Sequence, residues 1–136
     1  MMLCDSSALI ALLNRRDPDH VRCRQFSATL PAVTMVTTIA CLTETMYFLG
    51  KLQGFQMQRL VWQMWEQDKL RVHCPGEKEL RRMRELMELY SDVPMDFADA
   101  SIVAAAEFLG ISEIFTVDSH FYIYRLRDGS PLTVVP

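Results

Sequence analysis

Leu3-Cys4-Asp5-Ser6-Ser7-Ala8-Leu9-Ile10-Ala11-Leu12-Leu13 is an apolar run stopped by an acid, then two hydroxyls, then an unbroken apolar segment. The physical reading is a short buried strand, a cap, and a buried helix. That order then recurs along the chain. Pro18 suits the first turn of a second helix reaching about Leu30, where Pro31 removes a donor and stops it. Val33 to Thr37 is β-branched apart from Met35 and reads as a strand. Thr38 to Leu49 is apolar almost all round, which predicts a buried helix ended by Gly50. Phe55 to Gln67 is helical, with Leu60, Val61, Met64 and Trp65 on one side, and Leu70 to His73 is a third strand. Pro75-Gly76 open an amphipathic helix in which Leu80, Met83, Met87 and Tyr90 keep 3–4 spacing and Arg81, Arg82, Glu85 and Glu88 face out. Asp96 to Leu109 is a helix rich in small residues closed by Gly110, and Ile114 to Val117 and Leu132 to Val135 complete five strands.

Strands alternating with helices, with crossovers long enough for right-handed βαβ units, predict an α/β fold: a mainly parallel sheet covered by helices on both faces. No repeat or Pro/Gly/Ser-rich linker divides residues 1–136, so one domain is expected. Half the residues are hydrophobic and 23% are charged, the balance of a folded globular chain and not of a disordered tail. With nine Met and two Trp to hide in so small a body, a self-association surface is expected. Cys4, Cys23, Cys41 and Cys74 form no CxxC pair, which argues against zinc or dithiol redox chemistry and for buried reduced thiols. Asp5 interrupts the first apolar run, so it does not read as a secretory leader, no stretch reads as a membrane span, and a cytoplasmic location is expected. A net charge of -3 provides no general pull toward nucleic acid, so any nucleic-acid binding would need a local basic patch and bound cations.

Five acids stand out. Ligands of an open parallel sheet bind beyond the C-terminal ends of its strands, where Asp5 and Asp118 are predicted to lie. Asp96 and Asp99 open the small-residue helix and share a face. Glu44 is the only charged residue between Thr37 and Gly50, flanked at helical spacing by Ala40, Cys41, Tyr47 and Phe48, a setting costly for a carboxylate without a compensating cation. Singly, Asp5, Asp96, Asp99 and Asp118 are each explained as helix caps or partners of helix dipoles. Together with Glu44, a hard-oxygen donor set without Cys or His pairs points to Mg²⁺ or Mn²⁺.

The segments LCDSSALIALL, TTIACLTETMYFL, MDFADASIVAAAEFLG and IFTVDSHF, in this order over nearly the whole chain, resemble PIN domains, in particular the toxin subunits of VapBC toxin–antitoxin pairs. The resemblance implies a three-layer fold with sheet order 3-2-1-4-5 and a Mg²⁺- or Mn²⁺-dependent endoribonuclease, with a cognate antitoxin and a homodimer as partners. It carries Asp5, Glu44, Asp99 and Asp118 onto the family's acids, Asp96 as an auxiliary metal ligand, and Ser6 and Thr116 as hydroxyls that orient acids or water. His120 stands where many relatives have a further acid, and an isolated His is more often a surface residue than a ligand. Arg15, Arg16, Arg22, Arg24, Lys69 and Arg71 are scattered bases, more often solvated surface than an RNA path. Tyr47, Tyr122 and Tyr124 suit base stacking less well than packing, and the Arg81-Arg82-Arg84 group reads as helix-surface ion pairs. A haloacid-dehalogenase-type phosphotransferase also begins with strand and Asp, but Ser7 holds the place of its second acid. The remaining alternatives are a housekeeping RNA-processing nuclease and a non-catalytic scaffold of the same fold.

Overall fold

In the computed structural model, which describes residues 1–136, five strands form one sheet of order β3-β2-β1-β4-β5, every pairing parallel. The strands are β1 (Met2–Cys4), β2 (Met35–Thr38), β3 (Leu70–His73), β4 (Glu113–Phe115) and β5 (Thr133–Val135). Between them run α1 (Ser6–Leu13), α2 (His20–Thr29), α3 (Ile39–Gln53), α4 (Phe55–Glu66), α5 (Glu77–Leu89) and α6 (Phe97–Leu109). The chain steps outward from β1 to β3, then returns to place β4 on the other side of β1. That reversal is the switch point at which a crevice opens beyond the strand ends.

Alternation along the strands creates two cores. Leu3, Val36 and Ile114 face α5 and α6, while Met2, Cys4, Met35 and Phe115 face α1, α2 and α4. Because both faces are buried, β1 (Met2-Leu3-Cys4) is apolar throughout, and the polar residues of β2, Thr37 and Thr38, are buried with it. The alanines of α6 (Ala100, Ala104 and Ala105 among them) let that helix lie close against the sheet and α5. Gly110 ends it in the left-handed region at φ 68°, where a side chain would be strained.

Several sequence expectations change. Gly50 does not end α3, which continues to Gln53 and stops at Gly54. A Cβ on Gly50 would meet the Gln58 side chain at 2.5 Å, so this glycine gives room for α4, whose Gln58 donates to the Met46 carbonyl at 2.9 Å. Nor is α3 buried all round: Cys41, Thr45 and Leu49 are inside, but Tyr47, Phe48 and Leu52 are exposed. On α4 the buried residues are Met57 and Val61, and Trp62 and Trp65 lie outside. In α5, Leu80 is exposed and Glu79 takes an inside position, bonded to His73 Nε2 at 2.7 Å. Arg82 also turns inward, gripping Glu107 through Nε and an η nitrogen at 2.7 and 3.0 Å. Three of the cysteines are buried and all four are free, while Cys74 is exposed. β2 starts at Met35 and β4 ends at Phe115, shorter or shifted by up to two residues from the patterned runs, as is usual for element ends.

Thr37, fully buried in β2, carries a hydroxyl with no hydrogen-bond partner. Thr37→Val keeps the shape and removes an unsatisfied polar atom, so it is expected to stabilise the fold by about 1 kcal/mol. A urea unfolding curve checks this; an unchanged or lower midpoint would contradict it.

Candidate metal centre

Asp5 is buried at the C-terminal end of β1, at the switch point of the sheet. It follows β1 at the N-cap position of α1, yet its side chain makes no capping bond. Instead Oδ2 accepts from Ser7 Oγ at 2.8 Å and from Thr116 Oγ1 at 3.0 Å. Those hydroxyls are held in turn by backbone donors, Val117 N–H to Ser7 at 3.1 Å and Asp118 N–H to Thr116 at 3.0 Å. The end of β1 and the loop after β4 are thereby locked together around one carboxylate oxygen. The Cys41 thiol approaches Oδ1 at 3.7 Å.

Asp99 enters from the first turn of α6. Asp96 caps that helix, its Oδ1 accepting from the Asp99 N–H at 2.8 Å. Asp99 is 6% exposed, and its Oδ2 accepts from Tyr124 Oη at 2.7 Å. Asp118 is half-buried and caps the 3₁₀ turn Ser119–Tyr122, Oδ1 accepting from the His120 N–H at 2.9 Å. The cap explanation therefore holds for Asp96 and Asp118 and fails for Asp5. Donor atoms of Asp99, Asp118 and His120 all lie within 4.8 Å of one another. Glu44 projects from α3 and is exposed, not enclosed by apolar neighbours as its flank suggests, since Tyr47 and Phe48 beside it also face outward. Its Oε1 accepts from Ser6 Oγ at 2.9 Å. Thr38 Oγ1 meets Ser101 Oγ at 2.6 Å and caps Cys41 N–H, fixing the start of α3 against α6.

The acids act on one another. Burial is the largest cause raising the proton affinity of Asp5, opposed by the Ser7 and Thr116 hydrogen bonds and reinforced by Asp118. Asp99 is pushed up to about 7, first by burial, with the Tyr124 bond opposing and the charges of Asp96, Asp5 and Asp118 adding. Glu44 is raised by partial burial of its carboxyl and by Asp96 and Asp5, with Ser6 opposing. Carboxylates that raise one another's proton affinity at one opening, with oxygen donors dominant, suit a hard divalent cation.

The structure brings Asp99, Asp118 and His120 into one group and couples Asp5 to it electrostatically, while Asp96 is committed to its cap and Glu44 stands at the rim. Ser6 serves Glu44, and Thr116 serves Asp5. Two contributors escape sequence reasoning. Ser7 is indistinguishable from Ser6 until the loop after β4 is placed, and Tyr124 carries no motif; it is fully buried, while Tyr47 and Tyr122 are exposed.

A PIN domain profile matches residues 2–126. The chain belongs to the PIN domain family. It is 27% identical over 144 residues to ribonuclease VapC26 of Mycobacterium tuberculosis, an alignment covering 99% of this chain and all of that protein. Among solved structures, VapC20 of M. tuberculosis, described as a Sarcin-Ricin loop cleaving toxin, superposes with a TM-score of 0.79 at 21% identity, covering 88% of this chain and 91% of that one. A toxin–antitoxin complex from Klebsiella pneumoniae gives 0.68 at 20% identity, covering 100% and 97%. These establish the three-layer PIN fold for this chain.

Asp99 binds its proton more tightly folded than unfolded, where a carboxyl titrates near ~3.9. Between those values the folded state holds more protons, so metal-free stability falls as pH rises from about 4 through about 7. Melting curves of metal-free protein across that window should show this decline, and Asp99→Asn should flatten it. A variant as pH-sensitive as the wild type would remove Asp99 from the charge cluster.

Proposed function

We propose that this chain is a Mg²⁺- or Mn²⁺-dependent endoribonuclease that hydrolyses RNA phosphodiesters as the toxin of a type II toxin–antitoxin pair. The observation that carries the reading is the buried Asp5, braced by two hydroxyls and left facing Asp118 and Asp99 across the switch point of the sheet. Ribonuclease VapC26, which aligns with the chain end to end, supports RNA as substrate.

Asp5, Asp99 and Asp118 are the residues that would hold the cation, with Asp96 beside them. When bound, such an ion lowers the pKa of a water and neutralises charge building on the phosphoryl oxygens. The protein's own part is positioning and proton handling. Ser7 and Thr116 keep Asp5 in one rotamer, and Tyr124 does the same for Asp99. Glu44, with Oε1 held by Ser6, keeps Oε2 free to accept a proton from the attacking water as the water oxygen bonds to phosphorus and the 3′ oxygen leaves. Its raised proton affinity makes it a stronger proton acceptor than a solvated carboxylate.

The exposed Tyr47, Phe48, Leu52, Phe55, Trp62 and Trp65 on α3 and α4 form an apolar surface that supports an antitoxin and a second copy of the chain as partners. Structural neighbours that are themselves toxin–antitoxin complexes accord with this. No helix is long and apolar enough to cross a membrane, and the reading places residues 1–136 as one PIN domain working in the cytoplasm.

Glu44→Gln keeps volume and removes the charge, so the fold should persist while cleavage drops by ~10²-fold or more. Single-turnover cleavage of a structured RNA with Mn²⁺ or Mg²⁺, beside a melting curve, is the measurement. Cleavage within a few-fold of wild type would place the proton acceptor elsewhere.

A further inference from the structure

We propose that His120 supplies a nitrogen ligand to the cation held by Asp99 and Asp118, and that this nitrogen biases the centre toward Mn²⁺ over Mg²⁺. The inference rests on the carboxylate centre argued above and specifies which ion it selects. Four observations carry it. The donor atoms of Asp99, Asp118 and His120 lie within 4.8 Å of one another. Ligands of one octahedral ion at ~2.1 Å stand about 3 Å apart when adjacent and about 4.2 Å when opposite, so small rotations bring the trio onto a single ion. The His120 backbone N–H is pinned to Asp118 Oδ1 at 2.9 Å, and its ring Nδ1 lies 3.2 Å from the same oxygen, so the imidazole is presented at the opening. Its side chain is 45% exposed, which leaves the ring free to turn toward an ion. Asp99, almost wholly buried, accepts at Oδ2 from Tyr124 Oη while its Oδ1 accepts no protein hydrogen bond.

The consequence follows from ligand preference. Mg²⁺ keeps to oxygen donors and water, so an imidazole at this position takes up space without adding to its binding. First-row transition ions accept imidazole nitrogen, and a site otherwise made of carboxylates suits Mn²⁺ among them. An acid in place of His120 would complete an all-oxygen set and return the advantage to Mg²⁺.

The test uses Mn²⁺ alone, on the full chain without RNA. Pulsed electron paramagnetic resonance of the Mn²⁺ complex should show ¹⁴N modulation from a directly bound imidazole, and the signal should vanish in His120→Asp and in His120→Ala. Calorimetric titration with Mn²⁺ and with Mg²⁺ should show the Mn²⁺ preference falling roughly tenfold or more in His120→Asp. Because His120 is partly exposed, the metal-free melting curve of His120→Ala should match wild type, while His120→Asp, which adds a carboxylate beside Asp118, should melt lower without metal. Mn²⁺ bound without nitrogen coupling, or an ion preference unchanged by either variant, would overturn the proposal and leave His120 as a surface partner of Asp118. Failure of the wild type to bind Mn²⁺ at all would overturn the proposal together with the carboxylate centre beneath it.

Discussion

The repulsion among Asp5, Asp99 and Asp118 is the constraint around which this end of the molecule is arranged. Like charges at one opening raise the energy of the folded, metal-free chain, and burial of Asp5 and Asp99 makes the penalty larger. The fold tolerates it because each carboxylate is held by a donor of its own: Ser7 and Thr116 for Asp5, Tyr124 for Asp99, and the His120 N–H for Asp118. These donors also fix one oxygen of each acid, which leaves the other oxygens for a ligand.

Holding those donors in place requires most of the second half of the chain. Tyr124 is fully buried, stacked edge-on against Tyr90 at 5.1 Å and Phe121 at 5.3 Å, so its hydroxyl reaches Asp99 from a rigid base. Arg125 N–H donates to Tyr90 Oη at 2.9 Å, and Glu107 accepts from both Arg82 and the Arg127 N–H. The segment after the 3₁₀ turn is thus fastened to α5 and α6, and the loop carrying Asp118 sits between that fastening and the hydroxyl pair at Asp5. A change at Arg82 would loosen the site from a distance, through packing and not through contact with it.

The α/β class and strand order were legible because alternation of strand and helix, and the resemblance carried by four segments, are statements about the backbone. Asp5 and Asp118 were legible for the same reason: each follows an apolar run, and parallel strands bring their ends to one side. What local sequence hid depends on partners far along the chain. Nothing near Gly50 shows that Gln58 will need its space, and nothing near Glu79 shows that His73 will receive it inside. The apolar face of α3 predicts burial, but the exposed Tyr47, Phe48 and Leu52 show an apolar surface left uncovered by this chain. Glu44 was singled out as a buried charge, and it stands instead at the rim with Ser6 as its donor. His120 read as surface; its exposure agrees, but its placement beside Asp99 and Asp118 needed the turn that Asp118 caps.

The central claim is that Asp5, Asp99 and Asp118 converge to hold one divalent cation. Anomalous diffraction from crystals grown with millimolar Mn²⁺ tests it directly. The account predicts a strong peak in the crevice at the switch point, within about 2.0 to 2.3 Å of oxygens from those acids. An empty crevice at that concentration, with the three carboxylates in the same arrangement, would contradict it.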